Sequence, residues 1–420
     1  MTVVVAFALL LALGLPVAFV LIAATFAFVG ATGNLRLLES LPQILFNSIE
    51  VFDLLAIPLF ILLGELMNEG GITRRIVLAA RAWLGWVPHS MAYVSLSANL
   101  LLASIMGSAT AQIAVMSRVM VPEMERDGYS RTFAAALTAS AGLLGPIIPP
   151  SMIFIIYGVV GQVSIKDMFI GGILPGLLLA ALLCAVIAFG AARAHDGRTA
   201  RAERPDLWKA TGGALLTLSI PAVIVGGIAF GIVTPTESAA VATLLAAIIG
   251  GVVFRELKWA HLSPALERTA RNTATVLFLI AAAKVFGWVL TFNQVPQSAA
   301  ALLQAMTSDP TVFMVLVFVF LMIVGMVLDG IAALIVLVPI LLPIAQKTYG
   351  IDPVHFGVMT CLTLTLGLLT PPVGAGLYVA AAMSGAALGR LARAILPFIA
   401  VTCAVILAVV FLPALTTALR

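Results

Sequence analysis

Apolar positions along the chain come in long blocks rather than in alternation, and blocks near the 20 residues needed to cross hydrocarbon recur over almost its whole length. Spans are predicted at about 131–158, 169–192, 211–231, 236–254 and 273–292, and only 193–210 reads as a soluble loop. Amphipathic arms are predicted at about 34–47, 72–86, 258–271 and 296–308. The opening MTVVVAFALLLALGLPVAFV has no basic flank and no A-x-A-like end, so it is read as a retained first span. Residues 1–30 cross once or bend about Pro16, which leaves the side of Met1 open.

Two segments do not fit simple crossing. Residues 88–125 and 310–347 are too long for one span and are interrupted by Met106-Gly107-Ser108-Ala109-Thr110 and by Leu328-Asp329-Gly330. Irregular backbone survives at membrane depth only where protein or water surrounds it, so both are predicted to be re-entrant hairpins with tips near the midplane. Each is followed by a span broken at its centre: GLLGPIIPPSM (142–152) within about 131–158, and GLLTPPVGAGL (367–377) within about 354–381. The tripeptide Ile-Leu-Pro then recurs at 173–175 and 395–397, and the order span, arm, span, arm precedes each hairpin. The chain therefore divides into 1–192, a basic loop at 193–210, and 211–420, read as two inverted repeats.

Charge orients the pattern. Arg193, Arg198, Arg201, Arg204 and Lys209 place the central loop in the cytoplasm. Counting outward puts Arg118, Arg126, Arg131, Arg255, Lys258, Arg268, Arg271, Arg390 and Arg393 on the same side, whereas 293–311 has no Lys or Arg and reads as external. The first hairpin's mouth then faces inward and the second's outward. Composition agrees that lipid is the solvent: 62% of residues are hydrophobic and 10% charged, with mean hydropathy +1.18, against about a quarter charged in soluble domains. No stretch could house an ATPase or a receptor domain. Cys184, Cys361 and Cys403 lack metal-type spacing and read as small buried hydrophobes. Arg74, Arg75 and Arg81 suit the cytoplasmic lipid surface and not a nucleic-acid site.

A helix broken at mid-membrane exposes N–H groups at one new end and carbonyls at the other, with partial charges of about half an electron. Candidate ligands in the first half are Ser104, Gly107, Ser108 and Thr110 at the tip, opposite Gly145, Pro146, Pro149, Pro150 and Ser151. In the second half they are Asp329 and Gly330, opposite Thr365, Gly367, Thr370, Pro371, Pro372 and Gly374. Proline frees a carbonyl, glycine permits close approach and Ser or Thr adds a hydroxyl, a set suited to a hard, weakly held cation such as Na⁺. The alternative is that each break is only a packed kink. Asp329 either caps the returning arm or coordinates the ion, and the roles are compatible. Thr234-Pro235-Thr236-Glu237 has the form of a capping box, so Glu237 reads as structural. Asp53, Glu65 and Glu69 read as interfacial. Lys284, inside a span, is assigned to structural pairing or a subunit contact ahead of substrate binding.

The order of GxxTPTE (231–237), SIMGSATA (104–111), GLLGPIIPPSM, LDGIAALIVLVPILLPIA (328–345) and GLLTPPVGAGLYV resembles the large membrane subunit of tripartite ATP-independent periplasmic (TRAP) transporters, the DctM type. The likeness covers essentially the whole chain. It implies an all-α polytopic membrane protein with a mobile transport domain of both hairpins and both broken helices, moving as an elevator against a scaffold of the other spans. It also implies Na⁺ as coupling ion with no other cofactor, a bacterial inner membrane, a small four-helix partner of the DctQ type, and a periplasmic binding protein of the DctP type. The cargo implied is a small organic acid, such as a dicarboxylate or sialic acid. Gly330 departs from the Pro or Thr that the family often has after the hairpin Asp. The rivals are a stand-alone divalent-anion/sodium symporter of related architecture, a channel, and an intramembrane enzyme. A channel needs a continuous polar stripe, whereas the polar residues here cluster at two breaks. An enzyme needs an H-E-x-x-H pair, a Ser/His pair or twin intramembrane Asp, and none is present; His89, His195, His261 and His355 fall near span ends.

Overall fold

The computed structural model describes residues 7, 9–11, 13–87, 89–194 and 206–420; Arg198, Arg201 and Arg204 of the basic loop, His195 and residues 1–6 lie outside them. Among the described residues every regular element is helical. Among these residues six helices are long and apolar enough to cross a membrane, and two bent pairs bring the number to as many as eight. The chain is thus a multi-pass membrane protein.

The first half opens with α1 (Val17–Thr32) and the arm α2 (Leu37–Asn47). A short 3-10 turn leads into α3 (Ala56–Glu69), which bends by 66° into the arm α4 (Ile72–Leu84). The antiparallel pair α5 (Ser90–Met106) and α6 (Ala109–Arg126) follows. Then come α7 (Arg131–Gly142), a nine-residue irregular stretch, α8 (Met152–Gly161) and the long α9 (Ile165–Ala194). The second half runs α10 (Leu207–Ala229), α11 (Pro235–Ile248), α12 (Trp259–Phe292), the arm α13 (Val295–Met306), and the pair α14 (Pro310–Val327) and α15 (Gly330–Tyr349). It ends with α16 (Pro353–Gly367), a break, α17 (Ala375–Ser384), α18 (Leu388–Ala394), α19 (Leu396–Phe411) and α20 (Ala414–Thr417).

The helix starts follow from side-chain oxygens and proline. Thr234 and Glu237 make the reciprocal capping box at α11, with Pro235 at its first position. Asp309 and Asp352 each accept two backbone N–H bonds at the starts of α14 and α16, again just before proline. Those bonds, from Val312 and Thr311, hold the Asp309 carboxyl below the usual carboxylate range. Ser130 and Ser151 cap α7 and α8 in the same way.

Of the three cysteines read as buried, only Cys361 is; Cys184 is exposed and Cys403 partly so, each on the outer face of its helix. Two expectations about the helices also change. The arm predicted at 258–271 and the span at 273–292 are one 34-residue helix, α12, because no Gly or Pro interrupts the sequence between Pro264 and Gly287. At 1.5 Å per residue it is about 50 Å long, well beyond a hydrocarbon core of about 30 Å. The arm α4 is also not simply lipid-facing. Arg75 pairs with Glu256 at 2.8 Å and lies 3.6 Å above the Phe254 ring, and Arg81 reaches Glu123 on α6 at 3.4 Å, which leaves Arg74 exposed. A cation on an amphipathic arm that packs on other helices finds carboxylates and ring faces there before it finds lipid headgroups.

The core lies where the halves interlock. In α16 every residue from Val354 to Gly367 is buried, and in α8 every residue from Ile153 to Val160. The two helices pack together and α15 packs on both. Gly357 makes room for the Tyr157 ring, whose hydroxyl donates to Pro353 O at 2.7 Å. Phe313 stacks on Tyr349 with centroids 4.2 Å apart, tying the open ends of α14 and α15 together.

Candidate functional site

The first pair turns at Gly107, whose φ of +57° is the left-handed conformation that glycine supplies without strain. A Cβ there would lie 3.2 Å from Met152 N, so the tip rests against the opening turn of α8. Ser108 precedes α6 without capping it; its hydroxyl lies 3.3 Å from that of Thr110. Ser104 donates into its own helix, to Leu101 O at 2.8 Å. Across from the tip, α7 ends at Gly142 and the chain passes through buried Gly145, Pro146, Pro149 and Pro150 to Ser151. The Ser151 hydroxyl donates to Pro146 O, bridging the break, and accepts from Phe154 N.

The second pair turns at Leu328-Asp329. Asp329 is exposed and its carboxylate accepts from Ile331 N at 3.0 Å, so it caps α15. Gly330 is buried against Leu364. Gly367 lies directly on Gly325 of α14: a Cβ on Gly367 would meet Gly325 backbone atoms at 2.5 to 2.9 Å. The break that follows is sewn to its surroundings by backbone bonds, Gly374 N to Met326 O at 3.1 Å and Leu377 N to Leu368 O at 3.2 Å. Thr365 and Thr370 are buried and donate to Cys361 O and Leu366 O, which leaves their oxygens free to accept. Pro371 and Pro372 are partly or fully exposed.

Both tips border one small cavity of about 50 Å³ lined by Gly107, Ser108, Thr110, Pro146, Asp329, Gly330 and Thr365, with Ala109, Ile153, Ile331 and Leu368. It brings together seven of the sequence-predicted residues. Gly145, Pro149, Pro150, Ser151, Gly367, Thr370, Pro371, Pro372 and Gly374 do not line it and belong to the breaks behind it, and Ser104 lies on α5 short of the first tip. A cavity of this size holds a few water-sized particles and no organic acid. The first residues of α6 and α15 lie on its wall, so it faces positive helix poles as well as the Asp329 carboxylate.

Ser108, Thr110 and Ile331 also line a second cavity of about 840 Å³, within the range of small-molecule sites. Its far wall is α3 and α12, with Glu65, Asn68, Glu69, Arg268, Asn272 and Thr275. Glu65 and Glu69 are therefore not merely interfacial: Arg268 donates to them at 2.8 and 2.6 Å. Their i, i+4 spacing puts both on one face of α3, a signal that sequence carries, but the Arg on a distant helix is not a local one. Asp53 lines neither cavity.

Sequence reasoning also missed a buried polar chain behind the first tip. Gln112 Nε2 donates to Asn99 O at 2.7 Å and lies 3.1 Å from Asn99 Oδ1; Asn99 Nδ2 donates to Ser95 O, and the Ser95 and Thr138 hydroxyls are 3.2 Å apart. All four residues are fully buried, and Gln112 Oε1, without a hydrogen-bond partner, lies where a Gly145 Cβ would be, 2.4 Å from it. Among the described residues no group of three His, Cys, Asp or Glu could hold a transition metal.

Two helical hairpins meeting two broken helices around two adjoining cavities with polar groups in their walls define a membrane transporter fold. Comparison of folds agrees. The YdaH transporter of Alcanivorax borkumensis superposes with TM-score 0.68 at 16% identity, covering 90% of this chain and 88% of YdaH. MtrF of Neisseria gonorrhoeae, described as an antimetabolite efflux pump, does so with TM-score 0.59 at 12% identity, covering 91% and 84%. Sequence specifies the family: the tripartite ATP-independent periplasmic transporter DctM component matches residues 4–415, and the chain belongs to it, a transporter component and not an enzyme. The 2,3-diketo-L-gulonate TRAP transporter large permease protein YiaN of Escherichia coli is 35% identical over 96% of this chain and 94% of its own length. The sialic acid TRAP transporter large permease protein SiaM of Vibrio cholerae is 37% identical over 93% and 91%. The isethionate TRAP transporter permease protein DctMQ of Oleidesulfovibrio alaskensis is 38% identical over 97% of this chain, which spans 64% of that longer protein.

Proposed function

We propose that this chain is the translocating subunit of a Na⁺-coupled importer of a small organic acid in a bacterial inner membrane. A periplasmic binding protein delivers the acid, and a small four-helix membrane subunit braces the chain. The observation that carries this reading is the meeting of both hairpin tips on one small cavity that adjoins a larger one. Backbone carbonyls freed by the breaks, the Ser108, Thr110 and Thr365 oxygens and the Asp329 carboxylate suit Na⁺ at or beside the small cavity, and the tip and break residues outside it extend the ligand set in each half. The Ser108 and Thr110 hydroxyls that face the large cavity suit the carboxylate of the cargo, with the positive poles of α6 and α15 close by at the small one. The relatives support the cargo class, since their names specify sialic acid, 2,3-diketo-L-gulonate and isethionate.

In mechanism, α5–α8 and α14–α17 move together across the bilayer against α3, α10, α11 and α12, so that the shared site opens first to one side and then to the other. With the charge-based orientation, in which Arg268 is cytoplasmic, the large cavity is read as the release side of the cycle. Na⁺ supplies the driving force by stabilising the closed tips together with the cargo. The test is uptake into proteoliposomes holding this chain and its small subunit, with the loaded binding protein outside. Uptake should follow an inward Na⁺ gradient and vanish when K⁺ replaces Na⁺ on both sides or when the binding protein is left out. Saturable uptake without the binding protein would favour a stand-alone symporter, and uptake indifferent to Na⁺ would reject coupling.

A further inference from the structure

A third cavity, of about 440 Å³, shares no lining residue with the two at the tips. It lies between α2 and α12 on one side and α8 and Pro339 of α15 on the other, and its polar lining is Asn47, Ser48, Gln162, Lys284 and Thr291, beside Trp288. Lys284 lies about 12 Å of helix short of Phe292, the end of α12 that leads to the Lys- and Arg-free stretch 293–311. In the charge-based orientation that is the external side.

Lys284 is half-buried in a span, where an ammonium is tolerated only if its charge and its three donors are met. It donates to Val160 O at 3.2 Å, in the last turn of α8. That uses one donor, and among the described residues no Asp or Glu lines the cavity. The pole of α8 carries about half a negative charge against one full positive charge, so the site keeps a net positive field of about half a charge. Gln162 commits one amide hydrogen to Val159 O at 2.8 Å and retains the other. The Ser48 and Thr291 hydroxyls already donate to Leu45 O and Gly287 O, which leaves them as acceptors for hydroxyl groups on a ligand. Spare cationic and amide donors beside spare hydroxyl acceptors match a small hydroxylated carboxylate, and the volume fits one.

We propose that this cavity is a second anion station, in which Lys284 holds a small hydroxylated carboxylate on the external side, apart from the hairpin tips. The proposal rests on the transport reading above, but its test does not use transport. Malate is titrated into the purified full chain in detergent and KCl without Na⁺, while tryptophan fluorescence is followed. A saturable change is expected that Trp288→Phe removes and that glycerol, a neutral polyol, does not produce. Lys284→Gln should raise the half-saturating malate concentration at least tenfold, and Lys284→Arg should keep it within about threefold. In the unmutated chain malate should also protect Lys284 from acylation by an amine-directed reagent, read by peptide mass mapping, so the result does not depend on the variants folding. No saturable Trp288 signal and no protection in the unmutated chain, or an unchanged response in Lys284→Gln, would overturn the station and leave Lys284 as a cap for α8. Na⁺-driven uptake surviving those results would keep the proposed function, whereas malate binding without Na⁺-driven uptake would keep the station and reject the coupling.

Discussion

The two hairpin junctions share an architecture and are pinned by different chemistry. Behind the first tip, Gln112, Asn99, Ser95 and Thr138 form a buried polar chain that links α5, α6 and α7 and faces Gly145. At the second junction the backbones touch, Gly325 on Gly367, and the Thr365 and Thr370 hydroxyls both donate to carbonyls of α16, the second from within the break. A side-chain amide can rotate out of the way; a backbone cannot. The first junction is therefore the adaptable one and the second the rigid one.

The strongest way to break this contrast is to place a methyl group at each break. Gly367→Ala drives a Cβ into Gly325 backbone with no flexible atom to yield, and is expected to destabilise by about 3 kcal/mol or more and to abolish uptake, since overpacking costs typically 1–3 kcal/mol even where side chains can adjust. Thermal unfolding of the purified chain measures it. Gln112→Leu comes next. It strips Asn99 O of its buried side-chain donor, which should cost about 1–3 kcal/mol in the same assay.

Gly145→Ala meets chiefly the end of the Gln112 side chain, with the Gly142 carbonyl no closer than 3.4 Å, and should be milder, about 1 kcal/mol. The clash disappears in a Gln112→Ala background, so the double variant should be more stable than the sum of the two singles predicts. Additive losses would show that Gln112 and Gly145 do not share space.

How much of this was legible in sequence depended on whether the signal was local. Gly107-Ser108, Leu328-Asp329 and the paired Pro-rich strings mark helix ends through backbone chemistry that acts within a few residues, so both tips and both breaks could be located by reading along the chain. The continuity of α12 was hidden because the polar run Glu267 to Thr275 looks like a boundary, although none of its residues breaks a helix. The Gly325–Gly367 contact, the Gln112–Asn99 pair and the Arg268 cluster join residues on different helices, and nothing in the spacing along one helix specifies the partner on another. The meeting of Asp329 with Ser108 at one cavity is of the same kind.

The smaller predictions sharpen the site itself. Asp329→Asn keeps a capping oxygen, so its stability should change by only a few tenths of a kcal/mol, while the Na⁺ concentration for half-maximal uptake rises several-fold. Thr365→Val removes one hydroxyl from the cavity wall at nearly constant volume and, if Na⁺ binds there as proposed, should raise that concentration about twofold to threefold, with little loss of fold.

The central claim, that the breaks and tips hold Na⁺, is tested most directly by the melting temperature of the purified full chain titrated with NaCl at constant ionic strength against KCl. A ligand that binds only the folded state raises stability by about 1.4 kcal/mol for each tenfold excess over its dissociation constant. The account predicts a rise with NaCl that KCl does not reproduce and that Asp329→Asn shifts to higher concentration. Coincident NaCl and KCl curves for the unmutated chain would contradict it.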